Sequence, residues 1–232
     1  MTGLYWLFLR QFLSGKMDCQ TDSKPRWERR KEARPQELLS AAVELFVERG
    51  FASTRLEDVA KRAGVSKGTL YLYYTNKEDL FKAVVRQSIV PMLGQAEISV
   101  AEFEGHSADL LRSVILSWWH RVGATKASGI SKLIFAEADN FPELARFYQT
   151  EVMSRGMRMI SSMLERGVQR GEFRAIDIPQ TTQVLIAPML MLSTWKHTIA
   201  PCERCDLHPE AFLDAFLDIT LNGLVPAGQP AR

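Results

Sequence analysis

Along most of the chain apolar residues return every three or four positions, and nowhere do apolar and polar residues alternate convincingly for the length of a strand. Across residues 35–48, Leu38, Leu39, Ala42, Val43, Leu45 and Phe46 fall at helical spacing. Pro35 suits the first turn of that helix and Gly50 follows as its stop. Thr54 and Glu57 have the spacing of a capping box, and Leu56, Val59, Ala60 and Ala63 give a second, short amphipathic helix that stops at Gly64. Ser66 is placed to cap a third helix running to about residue 74. Two short helices joined by Ala63, Gly64 and Val65 have the form of a helix-turn-helix. Asn76 then opens a longer helix, which continues past Pro91 and should bend or break there for want of an amide hydrogen. Five further segments, residues 107–122, 130–138, 142–170, 178–197 and 209–222, carry 3.6-residue stripes bounded by Gly, Pro or Asn. The expected fold is all-α, an N-terminal three-helix helix-turn-helix domain followed by a helical bundle.

A helix-turn-helix sets its second helix in the major groove, where residues near the N-terminus reach base edges. In SKGTLYLYY, Leu70 and Tyr74 should turn inward against Val59 and Phe46, leaving Lys67, Gly68, Thr69, Tyr71 and Tyr73 on the outside. Lys67 can meet a phosphate or a guanine edge, Thr69 a base or a thymine methyl, and the tyrosine hydroxyls phosphates. A glycine costs about 1 kcal/mol relative to alanine inside a helix, so Gly68 makes sense where backbone must approach DNA closely. Ser66 at the helix start completes the predicted DNA-binding set, together with Thr54 and Lys77, each at the start of a flanking helix.

Charge changes the picture by its distribution. Residues 24–86 hold fourteen Lys or Arg against nine Asp or Glu, whereas residues 87–232 hold thirteen against sixteen, so a basic first third precedes a mildly acidic remainder. Within it, Lys24, Arg26, Arg29, Arg30, Lys31 and Arg34 either form an arm along the DNA backbone or are a solvated tail. The apolar opening of the chain is shorter than a membrane span, and residues 1–33 read as an extension, with Met17 an alternative start. The expected boundaries are then 34–80 for the DNA-binding head, 81–224 for the body and 225–232 for a tail. Three cysteines, Cys19, Cys202 and Cys205, form no disulfide framework, which favours a cytoplasmic setting.

The stretch LLSAAVELFVERGFASTRLEDVAKRAGVSKGTLYLYYTNKEDL, residues 38–80, resembles the DNA-binding domain of the TetR family of regulators. Shared features are a helix ending in Phe-x-x-x-Gly-Phe, then Thr, Val-Ala, Ala-Gly-Val-Ser, Gly-Thr-Leu-Tyr, a tyrosine pair and Lys-Glu-x-Leu. Two positions depart: Leu72 stands where a polar or aromatic residue is common, which bears on operator choice, and Tyr74 where phenylalanine is usual. The resemblance implies a homodimer on a palindromic double-stranded DNA operator, most simply a repressor, released by a small hydrophobic molecule. It also implies that the last two helices pair across the dimer axis, in keeping with the wide apolar arcs of residues 178–197 and 209–222. Met189, Leu192, Phe212 and Phe216 are therefore the expected dimer interface. LIFAEADNFPELARFYQTEV is similar to a segment of family members tied to drug-efflux operons.

Trp118, Trp119, Phe135, Tyr148, Met153, Met157 and Trp195 are the expected pocket lining, with His120 or Glu137 as polar anchors, although aromatic and Met stripes serve equally as plain core. Cys202, Cys205 and His208 have a spacing open to zinc or redox chemistry, but no second ligand pair accompanies them and His197 would have to be borrowed. No cofactor or metal is expected. P-loop, Rossmann, Gly-x-Ser-x-Gly and HExxH patterns are all missing, so the sequence argues against an enzyme. The contrasting class is a helical adaptor without DNA binding, distinguished by whether the SKGTLY helix engages DNA.

Overall fold

The computed structural model describes residues 26–198 and 207–226, with side chains from Pro35 onward, and every regular element among them is helical. Eleven α-helices are described: α1 Arg26–Arg49, α2 Leu56–Arg62, α3 Lys67–Tyr71, α4 Lys77–Ser88, α5 Val90–Glu102, α6 Ser107–Trp118, α7 Gly129–Glu137, α8 Pro142–Tyr148, α9 Ser154–Gln169, α10 Ile178–Thr198 and α11 Pro209–Leu224. The chain divides by its contacts into residues 1–35 and 36–232. Of the first unit, the described part is the helical backbone from Arg26 to Pro35. The predicted arm residues Arg26, Arg29, Arg30, Lys31 and Arg34 lie on it, their side chains outside the described residues, as are Lys24, Met17 and Cys19.

Pro35 does not open α1, which starts at Arg26 and carries the proline inside it. A run of strong helix formers, RWERRKEAR, favours continuation upstream against the roughly 3 kcal/mol that an internal proline costs. Gly50 and Gly64 end α1 and α2 at φ of 85° and 68°, the left-handed region that a Cβ disfavours. Asn76 caps α4, its Oδ1 accepting the Asp79 amide at 2.7 Å. The helix predicted to run past Pro91 breaks at Ile89, and the proline falls in the first turn of α5, where its missing N–H is harmless.

Two apolar cores are present among the described residues. The first unites α1, α2, α3 and α4 with Ala127, Ile130 and Leu133 around α7 and with Leu144 and Tyr148 of α8. Its centre is the aromatic group Phe46, Phe51 and Phe81, all fully buried, with ring centroids 5.5 to 5.8 Å apart. Burying each such ring is worth about 1.5 to 3 kcal/mol. The second core joins α6, α9, α10 and α11 through Leu111, Ile115, Met163, Leu164, Leu192, Leu213 and Leu217. A border at residue 80 therefore does not separate the cores, because α4, α7 and α8 complete the first one.

The segments expected as continuous helices over 107–122 and 142–170 each contain one π turn, Trp119–Gly123 and Gln149–Met153. Each inserts one residue per turn and shifts the faces that follow it. Hydrophobic periodicity alone does not reveal such a shift.

Candidate nucleic-acid interface and sensing body

The helix α3 is short and well terminated. Ser66 Oγ accepts the Thr69 amide at 3.1 Å and lies 2.8 Å from the Thr69 hydroxyl, so the cap also fixes the Thr69 side chain. Leu70 is fully buried and Tyr74 nearly so, in one core with Val59 and Phe46. The opposite side presents Lys67, Gly68, Tyr71 and Leu72 to solvent, whereas Thr69 is half-buried and Tyr73 packs partly against the core. Lys67 Nζ pairs with Glu57 Oε1 of α2 at 2.6 Å and lies 5.7 Å from the Tyr71 ring centroid. That pair raises the Lys67 pKa and lowers that of Glu57. Both groups are well exposed, so water and salt screen the pair and Lys67 can exchange Glu57 for a phosphate at little cost.

Two other predicted contacts are occupied within the head. Thr54 makes no capping box: α2 is capped by Arg55 without a side-chain bond, and Thr54 is buried. Its hydroxyl lies 2.7 Å from the Gly50 carbonyl and 3.2 Å from that of Leu45, bracing the turn that follows α1. Lys77 folds back instead of reaching outward. Its Nζ donates to the carbonyls of Phe51 at 2.6 Å and Ala52 at 3.0 Å, and sits 4.5 Å from the Phe51 ring centroid. Burial holds this ammonium below the usual lysine range.

The same turn joins the head to α7 and its flanks. Glu137 Oε1 accepts the Ala52 amide at 3.2 Å, Lys126 Nζ reaches Glu44 at 2.7 Å, and Phe51 meets Phe141 at 4.7 Å between centroids. Gly129 admits Val47 so closely that a Cβ there would stand 2.6 Å from a valine methyl. Glu137, read as a possible pocket anchor, ties head to body and also lines the small cleft beside Phe51 and Phe141. Lys126 and Arg62 together hold Glu44 below the ordinary carboxylate range.

The predicted pocket residues do not converge on one cavity. Tyr148 and Met153 belong to the first core, Tyr148 with its hydroxyl 2.9 Å from Ser131 Oγ, whereas Trp118 and Trp119 belong to the second. Met157 and Trp195 are half-buried, and Phe135 is 59% exposed on the outer face of α7. A small apolar cleft, lined by Phe51, Phe81, Leu133, Phe141 and Leu144, has no room for a water molecule. The end of α10 is tied to the chain that follows the π turn after α6. Lys196 donates to the carbonyls of Gly123, Ala124 and Thr125, and His197 Nε2 lies 2.8 Å from Ser128 Oγ. Burial, then the neighbouring Lys196 and Lys132, lower the His197 pKa. His208 is exposed before α11, and Cys202 and Cys205 lie outside the described residues.

Residues 38–84 match the family described as bacterial regulatory proteins, tetR family, and residues 105–219 match the tetracyclin repressor-like C-terminal domain. The HTH-type transcriptional repressor KstR2 of Rhodococcus jostii is 31% identical over 151 residues, 64% of this chain and 72% of that protein. The chain belongs to the TetR family of transcriptional regulators. Members of this family are DNA-binding regulators and not enzymes. The fatty acid metabolism regulator protein of Bacillus subtilis is 24% identical over 198 residues, covering 84% of this chain and 98% of its own. Among solved structures, the fatty acid degradation regulator FadR from Bacillus halodurans superposes with a TM-score of 0.67 at 21% identity, covering 86% of this chain and 97% of that one. FadR from Bacillus subtilis in complex with stearoyl-CoA gives 0.64 at 21% identity, covering 82% and 98%.

In this TetR-family regulator two of the four residues expected at the dimer interface face inward, and the other two are half-buried. Met189 and Leu192 are buried in the protomer's own second core, and Phe212 and Phe216 pack partly against it. A helix with a wide apolar arc has two apolar faces, and sequence spacing does not say which one the protomer itself covers. The faces left open carry Val184, Ala187 and Met191 on α10 and Ala211, Ala215 and Ile219 on α11. Val184 is 66% and Ile219 73% exposed. The joint made by Lys126, Gly129, Glu137 and Phe141 also escaped sequence reading, since its partners are 70 or more residues away in the chain.

Proposed function

We propose that this regulator is a repressor, that it binds a palindromic operator as a homodimer in the cytoplasm, and that an apolar small molecule of acyl-chain character releases it. The observation that carries the DNA-binding part is the capped helix α3, buried through Leu70 on one side and presenting Lys67, Gly68, Thr69 and Tyr71 on the other. Ser66 and Tyr73 complete that surface, while Thr54 and Lys77 act behind it as internal supports. No described helix is long and apolar enough to cross a membrane.

The dimer is best assigned to the open faces of α10 and α11. Two such helices per protomer make a four-helix bundle about a two-fold axis, and the apolar stripe is otherwise costly to leave in water. The two recognition helices must then stand about 34 to 36 Å apart, or a multiple of a DNA turn, to read one face of the duplex. The effector class is supported by relatives named as fatty-acid regulators, one of them solved with stearoyl-CoA. The apolar body suits such a molecule, yet the cleft beside Phe51 and Phe141 is filled, so a bound acyl chain must displace core side chains. A ligand that prefers this displaced form shifts the population away from the form with the closed cleft, and the Glu137, Lys126 and Phe141 contacts carry the change to the head.

The test is binding of the full chain to DNA footprinted upstream of its own gene, at two salt concentrations and with added stearoyl-CoA or free fatty acid. A steep loss of affinity with salt and release by the acyl compound are expected. Absence of any DNA binding removes the regulator reading in favour of an adaptor, and binding that acyl compounds leave unchanged removes the effector class alone.

A further inference from the structure

Helix α3 has a pole directed away from the core, and its composition is unusual. At about 100° per residue, Gly68 and Leu72 lie on the side opposite Leu70. Leu72 closes the helix in αR geometry, and its amide donates to the carbonyls of Gly68 and Thr69, both at 3.3 Å, so the side chain projects from an ordered turn. At 83% it is the most exposed large apolar side chain among the described residues. Its neighbour Tyr71 is 43% exposed, and the Lys67 ammonium lies over the Tyr71 ring. The surface is therefore an apolar knob beside a cation.

Nothing inside the protein explains Gly68. It has no positive φ, and a Cβ there would meet nothing nearer than Ser66 Oγ at 3.9 Å. Alanine would fit and would favour the helix. A glycine that the fold does not require, on the pole of a groove-reading helix, is explained by something outside that comes closer than a methyl group allows. A leucine one turn further on then projects into the same space. The major groove offers one apolar feature to such a side chain, the C5-methyl of thymine.

We propose that Leu72 is a specificity residue that reads a thymine methyl in each half-site, and that Gly68 lets α3 approach closely enough for it to do so. This rests on the operator-binding reading above and deepens it. Because the leucine is already exposed in the free protein, the contact removes apolar surface from water without opening a gap in the core. A cytosine or a uracil at that position offers no methyl, and the discrimination should match that of one buried methyl group, about fourfold per half-site and about fifteenfold for both.

The experiment uses the full chain and a duplex enriched by it from a random-sequence pool, with each thymine replaced in turn by uracil. At one position per half-site, uracil should weaken the wild type by about those factors. Leu72→Ala should bind thymine and uracil duplexes alike there, with unchanged melting of the free protein. Gly68→Ala should melt no lower than wild type yet lose affinity for thymine and uracil duplexes together. The proposal is overturned if Leu72→Ala keeps the wild-type ratio of thymine to uracil binding at every position, or if the wild type ignores uracil throughout. A wild type that enriches no sequence at all overturns the operator reading itself, a result recognisable before any uracil is introduced.

Discussion

Replacing Lys77 by methionine separates two roles for a basic residue beside the recognition helix. In the structure its ammonium donates to the carbonyls of Phe51 at 2.6 Å and Ala52 at 3.0 Å, against the Phe51 ring. Methionine keeps most of the apolar stem and removes the charge. A hydrogen bond from a charged donor is worth about 1.5 to 3 kcal/mol net, and a cation over an aromatic face about 0.5 to 1. Ala52 is exposed, so its carbonyl can turn to water, and relief of the Lys77 desolvation offsets part of the remainder. A net loss of about 1.5 to 3 kcal/mol is expected. For a chain of this length that is a fall in Tm of about 3 to 12 °C. Thermal melting and urea titration measure it, and operator affinity at several salt concentrations tests the other role. A phosphate contact predicts the reverse pattern, unchanged melting and a salt slope lower by about one unit per subunit. Unchanged Tm together with a reduced slope would refute the internal tie.

Thr54→Val, which keeps shape and removes the hydroxyl bonded near Gly50 and Leu45, should cost about 1 to 3 kcal/mol in urea unfolding; no loss would mean that those carbonyls find water. Glu97 accepts from Arg155 at 2.9 and 2.6 Å between α5 and α9, which holds its pKa below the ordinary carboxylate value. Its folded pKa being the lower one, the stabilisation is fully present above the unfolded value near about 4.3 and is lost as pH falls through the folded value. Glu97→Gln should therefore be less stable by about 1 kcal/mol near neutrality, after allowance for solvent screening, and match the wild type in strong acid; a gap that persists in acid contradicts the ion pair as its source. Ile219→Asp should give folded monomers in sedimentation with Tm near that of the wild-type protomer, whereas Phe216→Asp, aimed at a ring packed on the second core, should lower Tm as well; an intact Ile219→Asp dimer would move the interface elsewhere.

Helical class and most of the helix ends were legible because they depend on local chemistry, whereas the π turns that divide the segments 107–122 and 142–170 were not. Ser66 and Asn76 cap as their side chains permit, Gly50 and Gly64 adopt positive φ, and Pro91 divides α4 from α5. Leu70 and Tyr74 turned inward, as a spacing of four in a short amphipathic helix requires. Where local signals compete, the reading failed. Thr54 with Glu57 has the spacing of a cap, but the threonine hydroxyl is bonded to the carbonyls of Gly50 and Leu45, and α2 starts after Arg55 without a side-chain cap.

The sequence by itself determined that this chain is a helical TetR-family regulator and that Leu70 and Tyr74 turn inward from α3 while Lys67, Gly68 and Tyr71 face outward, because periodicity, capping and motif spacing are properties of near neighbours. Only the tertiary structure decided the rest. It sent Lys77 to the carbonyls of residues 51 and 52 rather than to solvent, turned Met189 and Leu192 into the protomer's own core, and distributed the expected pocket aromatics over two cores and a surface. The reason is common to all three: an apolar or cationic side chain has several acceptable partners, and which one it meets depends on elements brought beside it by long-range packing.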